Sequence, residues 1–200
     1  MSHRQLARLV FASTSLLLVA CGGAQKGSEP AATPTAAAAD SAAPEGATGA
    51  APSGAKTVEV AIQPKSGSSI SGKATLTETA DGVRVVLALE HVPAGEHGAH
   101  VHEKGDCSAP DGSSAGGHFN PAGNPHALPA TSPHHLGDLG NITIDGSGNG
   151  HLDIVAPGAN LKAGDPNSFL GRSIIIHEKK DDGGQPTGNA GGRIGCGEIH

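Results

Sequence analysis

Between residues 58 and 89, apolar side chains recur at every second position. Val58, Val60 and Ile62 form one run and Val83, Val85, Leu87 and Leu89 another, with Arg84 and Glu90 on the alternate side. A period of two sets one face of an extended chain against a core and the other in water, so these runs read as half-buried strands. Shorter strand-like runs follow at Ala99–His102, Asn141–Asp145, His151–Val155, Ser173–His177 and Gly192–Ile199. Turn-forming clusters such as Asp81-Gly82 and Asp145-Gly146-Ser147-Gly148 separate them. No segment offers an amphipathic helix. The expectation is one all-β domain, a sandwich or Greek-key barrel, with function sought in the two longest connections, about Glu103–Leu139 and Glu178–Gly191. With three Phe and no Trp or Tyr, the core falls to Val, Ile, Leu and Ala, and single-stranded nucleic acid finds no stacking platform.

The start of the chain reads differently. A short basic segment (His3, Arg4, Arg8) precedes an apolar stretch from Leu9 to Ala20 that ends in Leu18-Val19-Ala20-Cys21. The stretch is too short for a finished membrane span and has the order of an export signal. The tetrad resembles a bacterial lipoprotein signal, which implies lipidation (palmitate included) on the Cys21 thiol and a mature chain beginning there. Gly22 in place of Asp favours an outer-membrane anchor facing periplasm or exterior. From Gly22 to about Ala55 the chain is nearly all Ala, Pro, Gly, Ser and Thr, with no large side chains to offset the entropy of ordering. The expected organisation is a signal at 1–20, a lipidated tether at 21–55 and a folded domain at 56–200. Losing Arg4 and Arg8 leaves 11 basic against 19 acidic residues, a formal charge of −8. That balance excludes attraction to nucleic acid and repels small anions unless a local field draws them in.

Twelve histidines beside one methionine is the compositional excess. His100 and His102, at i and i+2 of a strand, project from the same face with origins roughly 6–7 Å apart, close enough to converge on one ion. His118, His126, His135 and Asp138 follow within one loop. Three imidazoles and a carboxylate suit a closed tetrahedral zinc site. His177, ending Ile174-Ile175-Ile176, is a further candidate. His134 competes with its neighbour as ligand, the i, i+3 spacing to Asp138 favouring His135.

The order Gly98-Ala99-His100-Val101-His102-Glu103, Gly117-His118-Phe119-Asn120-Pro121, His135-Leu136-Gly137-Asp138, His177-Glu178-Lys179 and Gly188-Asn189-Ala190-Gly191-Gly192-Arg193 resembles the copper-zinc superoxide dismutase family from about Lys56 to the end. The resemblance implies that family's Greek-key barrel with two long functional loops. It implies copper held by His100, His102, His118 and His177, and zinc held by His118, His126, His135 and Asp138, with His118 bridging. By the same resemblance Asp181 orients His100 and His126, Arg193 guides superoxide to copper, Thr187 forms the opposite wall of that channel, and Cys107 pairs with Cys196. The implied reaction converts superoxide to dioxygen and hydrogen peroxide, protecting the cell envelope. A rival reading is a copper-binding or copper-delivery lipoprotein of the same fold without turnover, although storage needs neither an anion guide nor a bridged zinc.

The sequence departs from the family between Asp182 and Thr187, where only Gly183-Gly184-Gln185-Pro186 remain of a loop that in animal members carries an acidic pair and a steering lysine. Lys179 and Lys180 read as a solvated strand end. His91, His97, His151 and His200 have no family role and read as surface or structural. No apolar face is assignable to a dimer seam, which leaves monomer and homodimer both open.

Overall fold

The computed structural model describes residues 54–200. The signal, Cys21 and nearly all of the tether lie outside the described residues. Eight strands follow one another: β1 (Thr57–Pro64), β2 (Ser71–Glu78), β3 (Gly82–Glu90), β4 (Gly95–His102), β5 (Asp138–Ile144), β6 (Gly150–Pro157), β7 (Arg172–His177) and β8 (Arg193–Ile199). They pair antiparallel in the order β1-β2-β3-β6-β5-β4-β7-β8, and β8 returns to β1. Of the two expected architectures this is the barrel, and the jumps from β3 to β6 and from β4 to β7 are its Greek-key crossings.

The period-two runs point as their pattern requires. Val60, Ile62, Val83, Val85, Leu87 and Leu89 are each 2% exposed or less, while Glu59, Ala88 and Glu90 are exposed. β2 is the strand that the apolar pattern does not announce. Its inward pair, Ala74 and Leu76, is flanked by Lys73, Thr75 and Thr77, and it is fixed by pairing: Ala74 lies opposite Val60 on one side and Leu87 on the other. The core is also not purely aliphatic. Phe119 and Phe169 are buried within it, edge to face with ring centroids 6.0 Å apart.

The unbroken Ile174-Ile175-Ile176 run has a two-sided cause. Ile174 and Ile176 face the barrel interior, whereas Ile175 packs outward with Ala115 and Cys196 beneath the β4–β5 connection. A strand covered on both faces loses its alternation. The Cys107–Cys196 disulfide, with Cα atoms 5.9 Å apart, ties that connection to β8. The β5–β6 link is the expected tight turn, in which the Asp145 carboxylate accepts the N–H groups of Ser147 and Asn149.

Candidate metal centre

Ala99 and Val101 belong to the barrel interior, so the alternate residues of β4, His100 and His102, stand on its outer surface. β7 lies beside them, with His100 opposite Ile175 and His102 opposite Ser173. His177 follows Ile175 on the same outer side, past an irregularity in the β7–β8 register at Ile176/His177. These imidazoles would be solvated but for the connections 103–137 and 178–192, which leave His100 0%, His102 1% and His177 6% exposed. The first connection delivers His118 through a short bridge to His102. Ring centroids of His118 and His177 then lie 4.0 and 4.9 Å from that of His100.

Each of these rings is held by one nitrogen. His102 Nδ1 donates to the Gly116 carbonyl at 3.0 Å and His177 Nδ1 to the Gly191 carbonyl at 3.2 Å. His100 Nε2 and His126 Nε2 donate to the two oxygens of Asp181, at 2.8 and 3.0 Å. Asp181 is fully buried and also accepts the Gly183 N–H. Burial works against its charge, but the hydrogen bonds from His100, His126 and Gly183 hold the carboxyl well below its usual range.

The other nitrogens decide what the cluster is for. His100 Nδ1, His102 Nε2, His126 Nδ1 and His177 Nε2 are buried without a hydrogen-bond partner. Leaving such a group bare costs about 1–3 kcal/mol apiece, so the arrangement is unfavourable unless something else meets those lone pairs. Burial pushes His100 down to about 4, His102 to about 2 and His177 to about 3. The rings are therefore neutral, with lone pairs free to bind a cation.

Among the described residues, donor groups gather into three sets, of which His100, His126 and Asp181 form the one already joined by hydrogen bonds; the other two remain. His100, His102, His118 and His177 form one, and His118, His126, His135 and Asp138 the other, so that His118 belongs to both. In the second set, Asp138 oxygens lie 3.0 Å from His118 Nδ1, 3.1 Å from His126 Nδ1 and 3.2 Å from His135 Nδ1. His118 Nδ1 and His135 Nδ1 are 3.4 Å apart. A tetrahedron with ligand bonds of about 2.0–2.1 Å has edges of about 3.3–3.4 Å, so these atoms nearly enclose a zinc-sized centre. Burial opposes the charge of Asp138, but the hydrogen bond to His118 and the neighbouring imidazoles keep its carboxyl below the usual range. Residues present and metals implied therefore fit: an all-imidazole set suits copper, and a three-imidazole, one-carboxylate set suits zinc.

The model of the family described as copper/zinc superoxide dismutase matches residues 70–199. The chain belongs to the copper/zinc superoxide dismutase family. It is an enzyme of that family, with copper and zinc as its metals. It is 42% identical over 135 residues to Superoxide dismutase [Cu-Zn] 2 of Aquifex aeolicus, covering 65% of this chain and 79% of the relative. Superoxide dismutase [Cu-Zn] 1 of the same organism is 41% identical over 133 residues, covering 64% of this chain and 79% of the relative. The barrel is similar to the crystal structure of a SOD-like protein from Bacillus subtilis, with TM-score 0.63 and 33% identity over 71% of this chain and 97% of that one.

The structure also places several side chains that the sequence left open. His135 joins the second set, and His134 does not: its Nδ1 donates to the His135 carbonyl at 2.7 Å. Arg193 is neither a free surface group nor part of an ion pair. Its NH1 and NH2 donate to the carbonyls of Gly112 and Gly116 at 2.7 and 2.6 Å, and Gly116 is also the acceptor for His102. Burial lowers its pKa, partly offset by Asp111. Thr187 stands exposed on the 178–192 loop, outside the buried cluster, and Asp182 is an exposed loop carboxylate. Lys180 is paired with Glu96 at 2.6 Å.

Of the two readings open for His97, surface or structural, the structure shows the second. The residue is 4% exposed, its ring nitrogens each 2.8 Å from a carbonyl, those of Pro93 and His177. It therefore braces the backbone of a candidate ligand. The signal available was its place in the same strand as His100, one more step along the alternation, but on the side where a core residue would be expected.

Proposed function

We propose that this domain dismutates superoxide at copper held by His100, His102, His118 and His177, with His118 bridging to zinc held by His118, His126, His135 and Asp138. The observation that carries the reading is the set of four buried, unpartnered imidazole nitrogens lining two ligand sets that share one histidine. When bound, copper supplies a one-electron couple that accepts an electron from one superoxide and returns it to the next, while zinc supplies fixed positive charge. Two superoxide ions and two protons thereby give dioxygen and hydrogen peroxide.

The chain's own residues make the surroundings. Asp181 fixes His100 and His126 through their outer nitrogens, so one carboxylate orients a ligand in each set. His118 Nδ1 lies 3.0 Å from Asp138 Oδ1 on the side of the second set, so its Nε2 would be the atom facing the copper set. Arg193 keeps a guanidinium beside the copper ligand His102, and its free donors offer superoxide a local positive field within a chain of net negative charge. Thr187 supplies the opposite wall of the approach.

The decisive experiment is a dismutation assay on the metal-loaded protein. Wild type should turn over, His177→Ala should lose activity together with copper, and Arg193→Ala should keep copper while kcat/KM falls at least about tenfold. Copper binding without turnover by the loaded wild type would overturn the enzyme reading in favour of a copper-holding lipoprotein. We also propose that Cys21 is lipidated and anchors the domain to the outer membrane, where it protects the cell envelope. The support is the Leu18-Val19-Ala20-Cys21 tetrad followed by Gly22. Metabolic labelling with a radioactive fatty acid should mark the wild type in the membrane fraction, and Cys21→Ala should abolish both label and sedimentation.

A further inference from the structure

The shortened stretch Gly183-Gly184-Gln185-Pro186 contains one side chain able to act at a distance, Gln185. Its Nε2 donates to the His126 carbonyl at 2.6 Å, and its Oε1 accepts the His126 N–H at 3.2 Å. A primary amide that both gives to and takes from one residue's backbone reproduces the pairing of a neighbouring strand. It also fixes that residue's peptide groups on both sides of its Cα. His126 needs this, because no strand carries it. It sits in the irregular connection 103–137 yet is only 1% exposed.

The same device occurs once more at this site. Asn141 on β5 donates from Nδ2 to the Asp181 carbonyl at 2.9 Å and accepts the Asp181 N–H at 2.7 Å. Asp181 in turn holds His126 Nε2. The chain from barrel to ligand therefore runs from Asn141 to the Asp181 backbone, from the Asp181 carboxylate to the His126 ring, and from Gln185 back to the His126 backbone. Ring and backbone of one histidine are held by two residues, four positions apart, of the same short loop.

We infer that Gln185 is a positioning residue for zinc, a latch by which the short 178–192 loop holds His126 in its ligating orientation before the ion arrives. This rests on the reading of His126 as a zinc ligand. A ligand already in place loses less conformational freedom on binding, so removing the latch should weaken zinc specifically. Copper, on the far side of His118, should be little affected.

The test uses the metal-free mature chain titrated with Zn²⁺ against a chromophoric chelator, with Co²⁺ absorption reporting ligand geometry, in wild type, Gln185→Ala, Gln185→Glu and His126→Ala. Exchange of the His126 amide proton is followed in the metal-free protein. Gln185→Ala should raise the zinc Kd about tenfold, broaden the Co²⁺ bands, speed exchange of the His126 amide and leave copper affinity within about twofold. Gln185→Glu keeps the acceptor but turns an oxygen towards the His126 carbonyl, and should bind zinc no better than the alanine variant. The latch is overturned if His126→Ala loses zinc while Gln185→Ala binds it like wild type with unchanged amide exchange, or if copper and zinc weaken equally. Wild-type zinc affinity in His126→Ala would instead overturn the zinc reading, and the latch with it.

Discussion

Stripping both metals should make the domain sensitive to mild acid, and the size of the effect follows from three rings. His100, His102 and His177 titrate at about 4, 2 and 3 in the folded chain against 6.5 when exposed, because burial disfavours their charged forms. Below pH 6.5 the unfolded chain binds protons that the folded chain refuses, so stability rises with pH and is lost on acidification. Between pH 7 and pH 5 each ring costs about 2 kcal/mol, and the three together several kcal/mol, on the order of 5. The loss is comparable to the whole stability of an ordinary domain. Asp138 and Asp181, held below their usual range, stabilise the fold above the unfolded carboxylate value and contribute nothing to this window. Their contribution disappears only at lower pH. Urea unfolding followed by far-ultraviolet circular dichroism would show the midpoint of the metal-free protein falling by about 2–3 M between pH 7 and pH 5, for a slope near 2 kcal/mol/M. With copper and zinc bound the same nitrogens are ligated, and the fall should move to more acid conditions. A metal-free midpoint unchanged between pH 7 and pH 5 would refute the argument that these histidines are buried and neutral.

Two further outcomes follow from fixed geometry. The disulfide spans 89 positions, for which loop-closure entropy gives about 4.6 kcal/mol; Cys107→Ala/Cys196→Ala should lose stability of that order in urea, and a loss below about 1 kcal/mol would mean the open chain is already constrained there. Asp181→Asn leaves one oxygen to accept from two imidazoles, so affinity for both copper and zinc should drop about 10- to 100-fold in chelator competition, whereas a loss confined to one metal would contradict its place between His100 and His126.

The legibility of this protein in its sequence divides along the line between side chain and backbone. The candidate ligands were named because their motifs, in order, resemble those of the family, and the i, i+3 spacing to Asp138 favoured His135 over His134; the structure brings the same side chains together. Seven of the eight strands could be read, β1 and β3 from an apolar residue at every second position and the other five as short runs set off by turn-forming clusters. β2 could not: Ala74 and Leu76 alone serve the interior, and the strand is defined by Val60 and Leu87 on its neighbours. For His97 the sequence left surface and structural roles both open, because its partners are the Pro93 and His177 carbonyls. The acceptors that orient His102 and His177 are likewise peptide oxygens of Gly116 and Gly191, groups that every residue possesses and that only the path of the chain brings into place. Gln185 is the same case from the other side, an ordinary loop residue whose partner is a peptide group.

A carbonyl oxygen has two lone pairs, and at Gly116 both are taken, one by His102 Nδ1 and one by Arg193 NH2. Arg193 and the candidate ligand His102 are thus levers on a single pivot. Gly116 has φ of 76°, a backbone conformation that side chains rarely adopt, so a replacement there strains this peptide and must also displace the Glu103 side chain. A change at this position therefore disturbs both donors together, and the guanidinium cannot be moved there without the imidazole.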